Sequence, residues 1–378
     1  MTHQTLVTPA AQRNSATIYV AVELSMSSWV IGLVDPRSGK ISRHQIPCGA
    51  VDRLMELVDR LRKTVGSERV VLCYEAGRDG FWLYRILTQR GLEVLVLDPA
   101  SLPVDRRRRR AKTDSLDVEM LLRAIMAHER GEPRACSVVR VPTAEDEDIR
   151  RLPRERERLQ SECTAHNNRI KGLLAVQGIY HVSPRKPDFL DRLKEQRTGD
   201  NQPVPSQLLR EIEREVQRLR LVQTTLRQVE QEMADLRLWD TRIGRMIRML
   251  MRFKGIGPVL ATVLVCECLY KDFANRGEIG SYSGLVPTTW RSGGIQQEQG
   301  ISKAGNARVR TSMIELVWLW LKWQPDTALS KWFRQRVGEL KGRIKKITAV
   351  ALARKLLIAL WKFASTGVIP EGAVLADA

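Results

Sequence analysis

Three runs decide the fold: ATIYVAVEL (16–24), SWVIGLVD (28–35) and KISRHQIPC (40–48). They are rich in β-branched and aromatic residues and are separated by short polar or Gly-containing turns, the pattern of sequential strands that pair as a meander. Downstream, Val51 to about Val65 places Leu54, Leu57, Val58 and Leu61 on one helical face. RVVLCYEA (69–76) reads as a buried strand, about Gly80 to Arg90 as a helix, and LEVLVLD (92–98) as a second buried strand. Asp114 to His128 is again helical. The order is βββ-α-β-α-β-α, a meander to which right-handed crossovers add parallel strands. That is the order of the ribonuclease H-like fold, so an α/β N-terminal domain is expected.

The rest of the chain has another texture. Residues 143 to 178 are polar and helical, with Pro153 starting or kinking a helix. Prolines 184, 187, 203 and 205 mark a break. From about Ser206 to Leu238, Ile212, Val216, Leu219, Val222, Leu226, Val229, Met233 and Leu236 recur in threes and fours, as in a coiled-coil seam. Partners within one chain and between chains are both open. From about Thr241 the chain is helical with one loop-rich insert, and it ends in a helix near Ile347 to Ser365. The expected divisions are a tail (1–16), a catalytic domain (17–140), a helical linker (141–240) and a mainly helical C-terminal domain (241–368).

Composition narrows the function. Sixty-two Lys and Arg against forty-three Asp and Glu give a net charge of +19 and a pI near 10.1. Such an excess is the footprint of a polyanion, since each cation that neutralises a phosphate releases counterions. It is clustered at Arg106, Arg107, Arg108, Arg109, Arg110 and Lys112, at Arg150, Arg151, Arg154, Arg156 and Arg158, and at Arg334 to Lys346. No apolar run reaches the ~20 residues of a membrane span, and the first residues lack the basic-then-apolar order of a secretory signal. The six cysteines form no CxxC pair and the five histidines no ligand spacing, so a reduced, cytoplasmic protein without structural zinc is expected.

Four carboxylates stand out. Glu23 and Glu75 end apolar strands, where a carboxylate is costly to bury unless it is paired or binds a cation. Asp114 and Asp117 stand three apart at a helix start and share a face, although such spacing is also ordinary capping chemistry. In the expected fold the first strand and the first crossover strand are neighbours, and a following helix can bring its first turn to their ends. Four hard oxygen ligands beside a basic loop suit Mg²⁺ or Mn²⁺. In the last third, Lys254-Gly255-Ile256-Gly257-Pro258 resembles the hairpin of helix-hairpin-helix modules, or is a plain helix–helix turn. Ser292 follows Trp290-Arg291 in a basic, Gly-containing loop, a candidate nucleophile with no His–Asp partner near in sequence. Ser302-Lys303-Ala304-Gly305-Asn306, with Arg308 and Arg310 behind it, reads as an anion-binding helix start. Trp318, Trp320 and Trp323 read as core or as an interface.

Six segments carry a family resemblance: YVAVELSMSSWVIGL (19–33), VLCYEAGRDGFWLYRIL (71–87), RRAKTDSLDVEMLLRA (109–124), FKGIGPVLATVL (253–264), YSGLVPTTWRSGG (282–294) and GISKAGNARVR (300–310). In order and spacing, over roughly residues 17 to 365, the chain resembles the DEDD transposases of bacterial insertion sequences, the insertion sequence one-ten family. The resemblance implies a RuvC-type ribonuclease H domain, a coiled-coil linker and a C-terminal transposase domain. It places an acidic, metal-binding quartet on Glu23, Glu75, Asp114 and Asp117, and a catalytic serine on Ser292. It further implies a tetramer, a dimer of dimers whose composite sites join one protomer's acidic residues to another's serine. A phosphoserine link to DNA would form there, with strand exchange through a junction. A structured noncoding RNA encoded by the element would choose donor and target DNA by base pairing. Under that reading Arg106 to Arg110, Lys112, Arg150, Arg151, Gly255, Gly257, Arg291, Lys303, Arg308 and Arg310 contact nucleic acid in the bacterial cytoplasm, at the nucleoid.

One departure is visible. The family's first acidic position is usually Asp, and here it is Glu23, whose extra methylene moves the carboxylate outward by about 1.5 Å. An active variant site, a preference for Mn²⁺ and a decayed copy are the three explanations; the intact remainder of the quartet favours the first. Two further functional classes compete with the recombinase: a metal-dependent junction endonuclease without a covalent step, and a non-catalytic nucleic-acid-binding protein.

Overall fold

A computed structural model of the chain describes residues 17–77, 80–102, 114–132, 135–292, 295–339 and 342–376. These fall into two compact units that meet between Pro142 and Thr143.

The first unit is built on a five-stranded sheet. Strands β1 (Ile18–Glu23), β2 (Ser28–Val34) and β3 (Ile41–Pro47) form the antiparallel meander. Helix α1 (Val51–Val65) leads to β4 (Val70–Glu75), and α2 (Trp82–Gln89) leads to β5 (Glu93–Leu97). The strand order is β3-β2-β1-β4-β5, with β1, β4 and β5 parallel. The expected mixed sheet is therefore present, with the crossovers adding strands on the β1 side.

Alternation along the central strands separates two apolar faces. Ile18, Val20 and Val22 of β1, with Leu72 and Tyr74 of β4, pack against Leu54 and Val58 of α1 and Leu83 and Leu87 of α2. The opposite face carries Ala21, Val71 and Cys73, and is covered by α3 (Asp114–Glu129) through Val118, Leu121, Leu122 and Ile125.

The α3 face is unusually low. Gly32, Ala21 and Cys73 are paired across β2, β1 and β4, so a row of small residues crosses the sheet. A Cβ on Gly32 would collide with Val118 Cγ1 and stand 2.9 Å from Leu122 Cδ1. Cys73 lies close enough for its thiol to reach the Leu121 carbonyl at 3.7 Å. At the helix's far end, Arg69 joins Glu129 (2.7 Å) and Glu93 (2.6 Å) just ahead of β4. This fixes the direction of α3: its C-terminus lies over the strands' beginnings, and its first turn over the ends of β1 and β4.

The second unit starts with α4 (Ala144–Ile149), capped by the Thr143 side chain, and α5 (Arg151–Ala175). After α6 (Phe189–Glu195) comes α7 (Ser206–Asp235), which packs antiparallel on α5 within the same chain. Leu159, Cys163, Ile170 and Leu174 meet Ile212, Val216, Leu219 and Val229. Polar ties line the seam: Arg156–Glu230 (2.8 Å), His166–Glu215 (2.8 Å) and Arg169–Glu211 (3.1 Å).

Helices α8 (Arg242–Met251) and α9 (Pro258–Leu264) follow, and α9 runs into one π-helical turn at Val265–Leu269 before α10 (Arg276–Tyr282). The segment expected as a loop is an antiparallel hairpin, β6 (Pro287–Ser292) and β7 (Ile295–Ile301). Two extended runs joined by Gly-Gly are a hairpin signal; Gly293 and Gly294 themselves lie outside the described residues. Helices α11 (Ala307–Trp323), α12 (Ala328–Val337) and α13 (Arg343–Thr366) complete a bundle around Phe253, whose ring stands 5.4 Å from that of Trp320 and 4.8 Å from that of Phe363. Trp320 is core, as expected of part of the Trp stripe, whereas Trp318 and Trp323 are half exposed. Among the described residues no helix is long and apolar enough to cross a membrane.

Two predictions follow from the packing. Gly32→Val adds methyl groups where α3 leaves no room, and should cost about 1–3 kcal/mol of stability and lower the melting temperature of the full chain. Glu215 is buried on α7; burial raises its carboxyl, but hydrogen bonds from His166 and Arg218 outweigh that and hold it below the ordinary 4.5. Its contribution is thus full above the ordinary value and is lost as pH falls below it through the lower folded value. Acid titration of helicity should show loosening at lower pH in the wild type, and a Glu215→Gln variant should lack that component.

Candidate active site and serine hairpin

The acidic candidates of the first unit are delivered by three elements. Ala21 pairs with Cys73 and Val22 with Tyr74, so the next residues, Glu23 and Glu75, end adjacent parallel strands at the same height. By alternation each continues the α3 face, two residues beyond Ala21 and Cys73. The first turn of α3 lies over this same edge, and Asp117 sits in it, one residue before Val118 locks onto Gly32. Glu23, Glu75 and Asp117 are all half-buried.

Asp117 carries the clearest signal. Its Oδ2 is buried and has no hydrogen-bond partner among the described residues. A buried carboxylate oxygen left without a donor is unfavourable and points to a missing cation or proton donor. The donor set is entirely carboxylate oxygen, which fits Mg²⁺ or Mn²⁺ and suits zinc poorly. Among the described side chains, no three His, Cys, Asp or Glu already form a closed metal cluster. Asp114 begins α3, but its side chain lies outside the described residues, as do Arg106 to Arg110 and Lys112. The neighbouring thiol is not a competing nucleophile: burial pushes Cys73 far above its ordinary value.

Ser292 belongs to the second unit, whereas Glu23, Glu75, Asp114 and Asp117 belong to the first. It is the last residue of β6, paired with Ile295 at the tip of the hairpin; its side chain and that of Arg291 lie outside the described residues. The roots of the hairpin are well defined. Below β6 and β7 the legs are joined by Ser302 N–H to the Val286 carbonyl (2.9 Å), Lys303 N–H to Gly284 (3.2 Å) and Asn306 N–H to Tyr282 (2.7 Å). Gly305 has a φ of +114°, and a Cβ there would strike the Tyr282 and Ser281 carbonyls.

Several basic candidates are committed inside the fold. Arg150 is only 11% exposed; its guanidinium lies 4.5 Å above the Tyr270 ring and reaches toward Glu267. It is half-buried, with its guanidinium engaged by Tyr270 and Glu267. The anion-binding start expected at α11 is occupied by the protein itself: Asn306 caps the helix and its side chain accepts from the Arg308 and Val309 N–H groups. Arg308 faces Glu157 of α5 at 2.5 Å, and Arg310 donates to the Lys303 and Ser283 carbonyls. Gly255, at φ +98°, lies against Trp323, where a Cβ would come within 3.1 Å, so its demand is internal packing. Gly257 begins α9 in open space, Arg151 is exposed and paired with Asp148 at 3.2 Å, and Lys303 is exposed. Along α5 and α7, a groove is lined by Arg185, Arg220 and Arg227 together with Gln160, Thr164 and Asn168.

Glu267 is the residue whose role the sequence hid. It interrupts the apolar run PVLATVLVCECL (258–269) and is fully buried in the π-helical turn. Its carboxylate accepts from Arg154 (3.1 Å) and Asn306 (2.9 Å), and its carbonyl accepts from the Tyr282 hydroxyl at 2.8 Å. A carboxylate within an apolar stretch was the available signal, since it requires partners that sequence does not name. Its neighbours Cys266 and Cys268 are inert, because burial pushes both thiols up to about 12.

Comparison with known proteins agrees with both units. Residues 24–177 match a family of DEDD transposases of the IS110 type, and residues 247–331 match the family described as "Transposase IS116/IS110/IS902 family". A protein of Sinorhizobium fredii named as transposase y4rJ is 46% identical over 374 residues, covering 95% of this chain and 94% of that protein. A second from the same organism, named as transposase y4qE, is 25% identical over 80% of this chain and 77% of its own length. A protein of Pseudomonas aeruginosa named as a family 20 transposase is 28% identical over 60% of this chain and 66% of its own. A purely nucleic-acid-binding role is thereby set aside: the chain belongs to the IS110-type family and is a DNA transposase of an insertion sequence.

Proposed function

We propose that this transposase cuts and rejoins DNA by serine chemistry, with Glu23, Glu75, Asp114 and Asp117 holding divalent metal and Ser292 as nucleophile. The observation that carries the reading is the orphaned, buried Asp117 Oδ2 at the edge where Glu23 and Glu75 end side by side. The strand order β3-β2-β1-β4-β5 supports a ribonuclease H-like domain of the RuvC type. Mg²⁺ or Mn²⁺ at that edge supplies charge stabilisation for a phosphodiester under attack.

The chain's own groups do the remainder. The Ser292 oxygen forms a bond to phosphorus as the bond to the leaving deoxyribose oxygen breaks; the serine proton passes to a base, and the departing oxygen takes up a proton. The phosphodiester is conserved as a phosphoserine link, so rejoining to another strand needs no external energy source. The family resemblance supplies the composite site between protomers, and with it the tetramer. A guide RNA accounts for sequence choice by a protein whose +19 charge favours backbone contact. The groove with Arg185, Arg220 and Arg227 is the surface we assign to RNA, and the basic run at Arg106 to Arg110 the one we assign to scissile DNA. A metal-dependent junction nuclease is the second reading. It is favoured by the acidic edge lying wholly in the first unit, and it dispenses with Ser292.

Covalent trapping in cells carrying the whole element separates them. Wild type should give nuclease-sensitive protein–DNA adducts on a denaturing gel, and Ser292→Ala should give none. DNA cut without an adduct in either would replace the recombinase by the nuclease. Glu23→Gln should abolish strand transfer, and full activity in that variant would remove Glu23 from the site. Mn²⁺ should raise the melting temperature of the wild type through binding to the native state. Asp117→Asn should melt at or above the wild type in chelator and lose the Mn²⁺ shift.

A further inference from the structure

Glu267 is placed where a simple buried ion pair would not need it. In the π-helical turn, the Tyr270 N–H bonds to the Val265 carbonyl at 3.0 Å. The Glu267 carbonyl is taken by side chains, the Tyr282 hydroxyl (2.8 Å) and the Asn306 amide (3.3 Å). The same Asn306 amide donates to the Glu267 carboxylate at 2.9 Å. Tyr282 stands five residues before Pro287 and Asn306 five residues after Ile301, so this one residue grips both legs of the β6–β7 hairpin below its strands. From the other side Arg154 of α5 donates to the carboxylate at 3.1 Å, and Arg150 approaches it at 4.0 Å. The hairpin roots are thus keyed, through one carboxylate, to the long helix that pairs with α7.

We propose that Glu267 is a positioning residue for strand cleavage, holding Tyr282 and Asn306 so that the hairpin projects Ser292 in a single orientation. The role in cleavage rests on the serine reading above. One feature distinguishes it from general stabilisation. The Asn306 side chain has two jobs on separate atoms: Oδ1 caps α11, and Nδ2 donates to Glu267. Asn306→Asp therefore keeps the cap and turns a donor into a second carboxylate facing Glu267. Replacing Glu267 by Gln in that background restores a donor–acceptor pair with its direction reversed.

The test is this reciprocal swap in the full-length protein, read in two ways. Amide hydrogen exchange at residues 282–286 and 302–306, measured without DNA, reports the roots directly. Strand cleavage in cells carrying the element reports the consequence. Asn306→Asp should speed exchange at the roots about tenfold or more and reduce cleavage by about 10²-fold, the scale on which an ångström of misplacement acts. The double variant, with Glu267→Gln, restores the side-chain pair but not the amide's donation to the Glu267 carbonyl, so it should improve on Asn306→Asp by about threefold or more in both readouts without reaching wild type. Exchange unchanged in Asn306→Asp would overturn the proposal, and so would a double variant no better than the worse single one. Should Asn306→Asp fail to fold, Tyr282→Phe removes the hydroxyl that donates to the Glu267 carbonyl and accepts from the Asn306 amide at 3.3 Å. It should move both readouts the same way by a smaller factor, and wild-type values there would also overturn the proposal. Because exchange is read without DNA, it stands or falls independently of whether Ser292→Ala abolishes the adduct.

Discussion

The close approach of α3 to the sheet is the constraint on which the acidic edge depends. The side chains between a helix and a sheet set how closely the two can approach. Here Gly32, Ala21 and Cys73 lie in one row across three strands and let Val118 and Leu122 descend. Asp117 is the residue immediately before Val118, so the depth of that contact sets the depth of the carboxylate. Arg69, holding Glu129 at the opposite end, fixes the helix along its length. Depth and register are controlled by groups other than the acidic candidates Glu23, Glu75 and Asp117.

The second unit solves a related problem with buried charge in place of small residues. Glu215 and Glu267 are both withdrawn from water, and each is surrounded by arginine, histidine or amide donors. Buried ion pairs are weak sources of net stability, because desolvation offsets much of the attraction, but a shift that separates the partners leaves an uncompensated buried charge. That property suits a unit assembled from long helices, where apolar seams alone tolerate sliding.

Much of the first unit was legible in the sequence because its signals are local. Alternation gave the strands, the βββ-α-β-α-β-α order gave the sheet, and strand-end glutamates with Asp114 and Asp117 pointed to one edge. The row of small residues was not legible, since Gly32, Ala21 and Cys73 become neighbours only once the register is known. In the second unit the surroundings of the basic candidates depend on long-range partners. Arg150 looks like its exposed neighbour Arg151, yet Tyr270 and Glu267, more than a hundred residues away, draw it inward. The SKAGN segment looks like an anion site, but Asn306 satisfies the helix start itself. The hairpin was read as a loop because its polar strands, such as IQQEQGI (295–301), lack apolar alternation even though Gly293-Gly294 is a turn signal.

The hairpin also behaves as a lever. Its six-residue strand β6 spans about 20 Å from root to tip at about 3.3 Å per residue. A tilt of about 10° at the root would sweep the tip through roughly 3 Å, on the order of the whole separation between reacting atoms in a productive encounter. Angular stiffness at the base therefore matters more to the tip than any local contact made there.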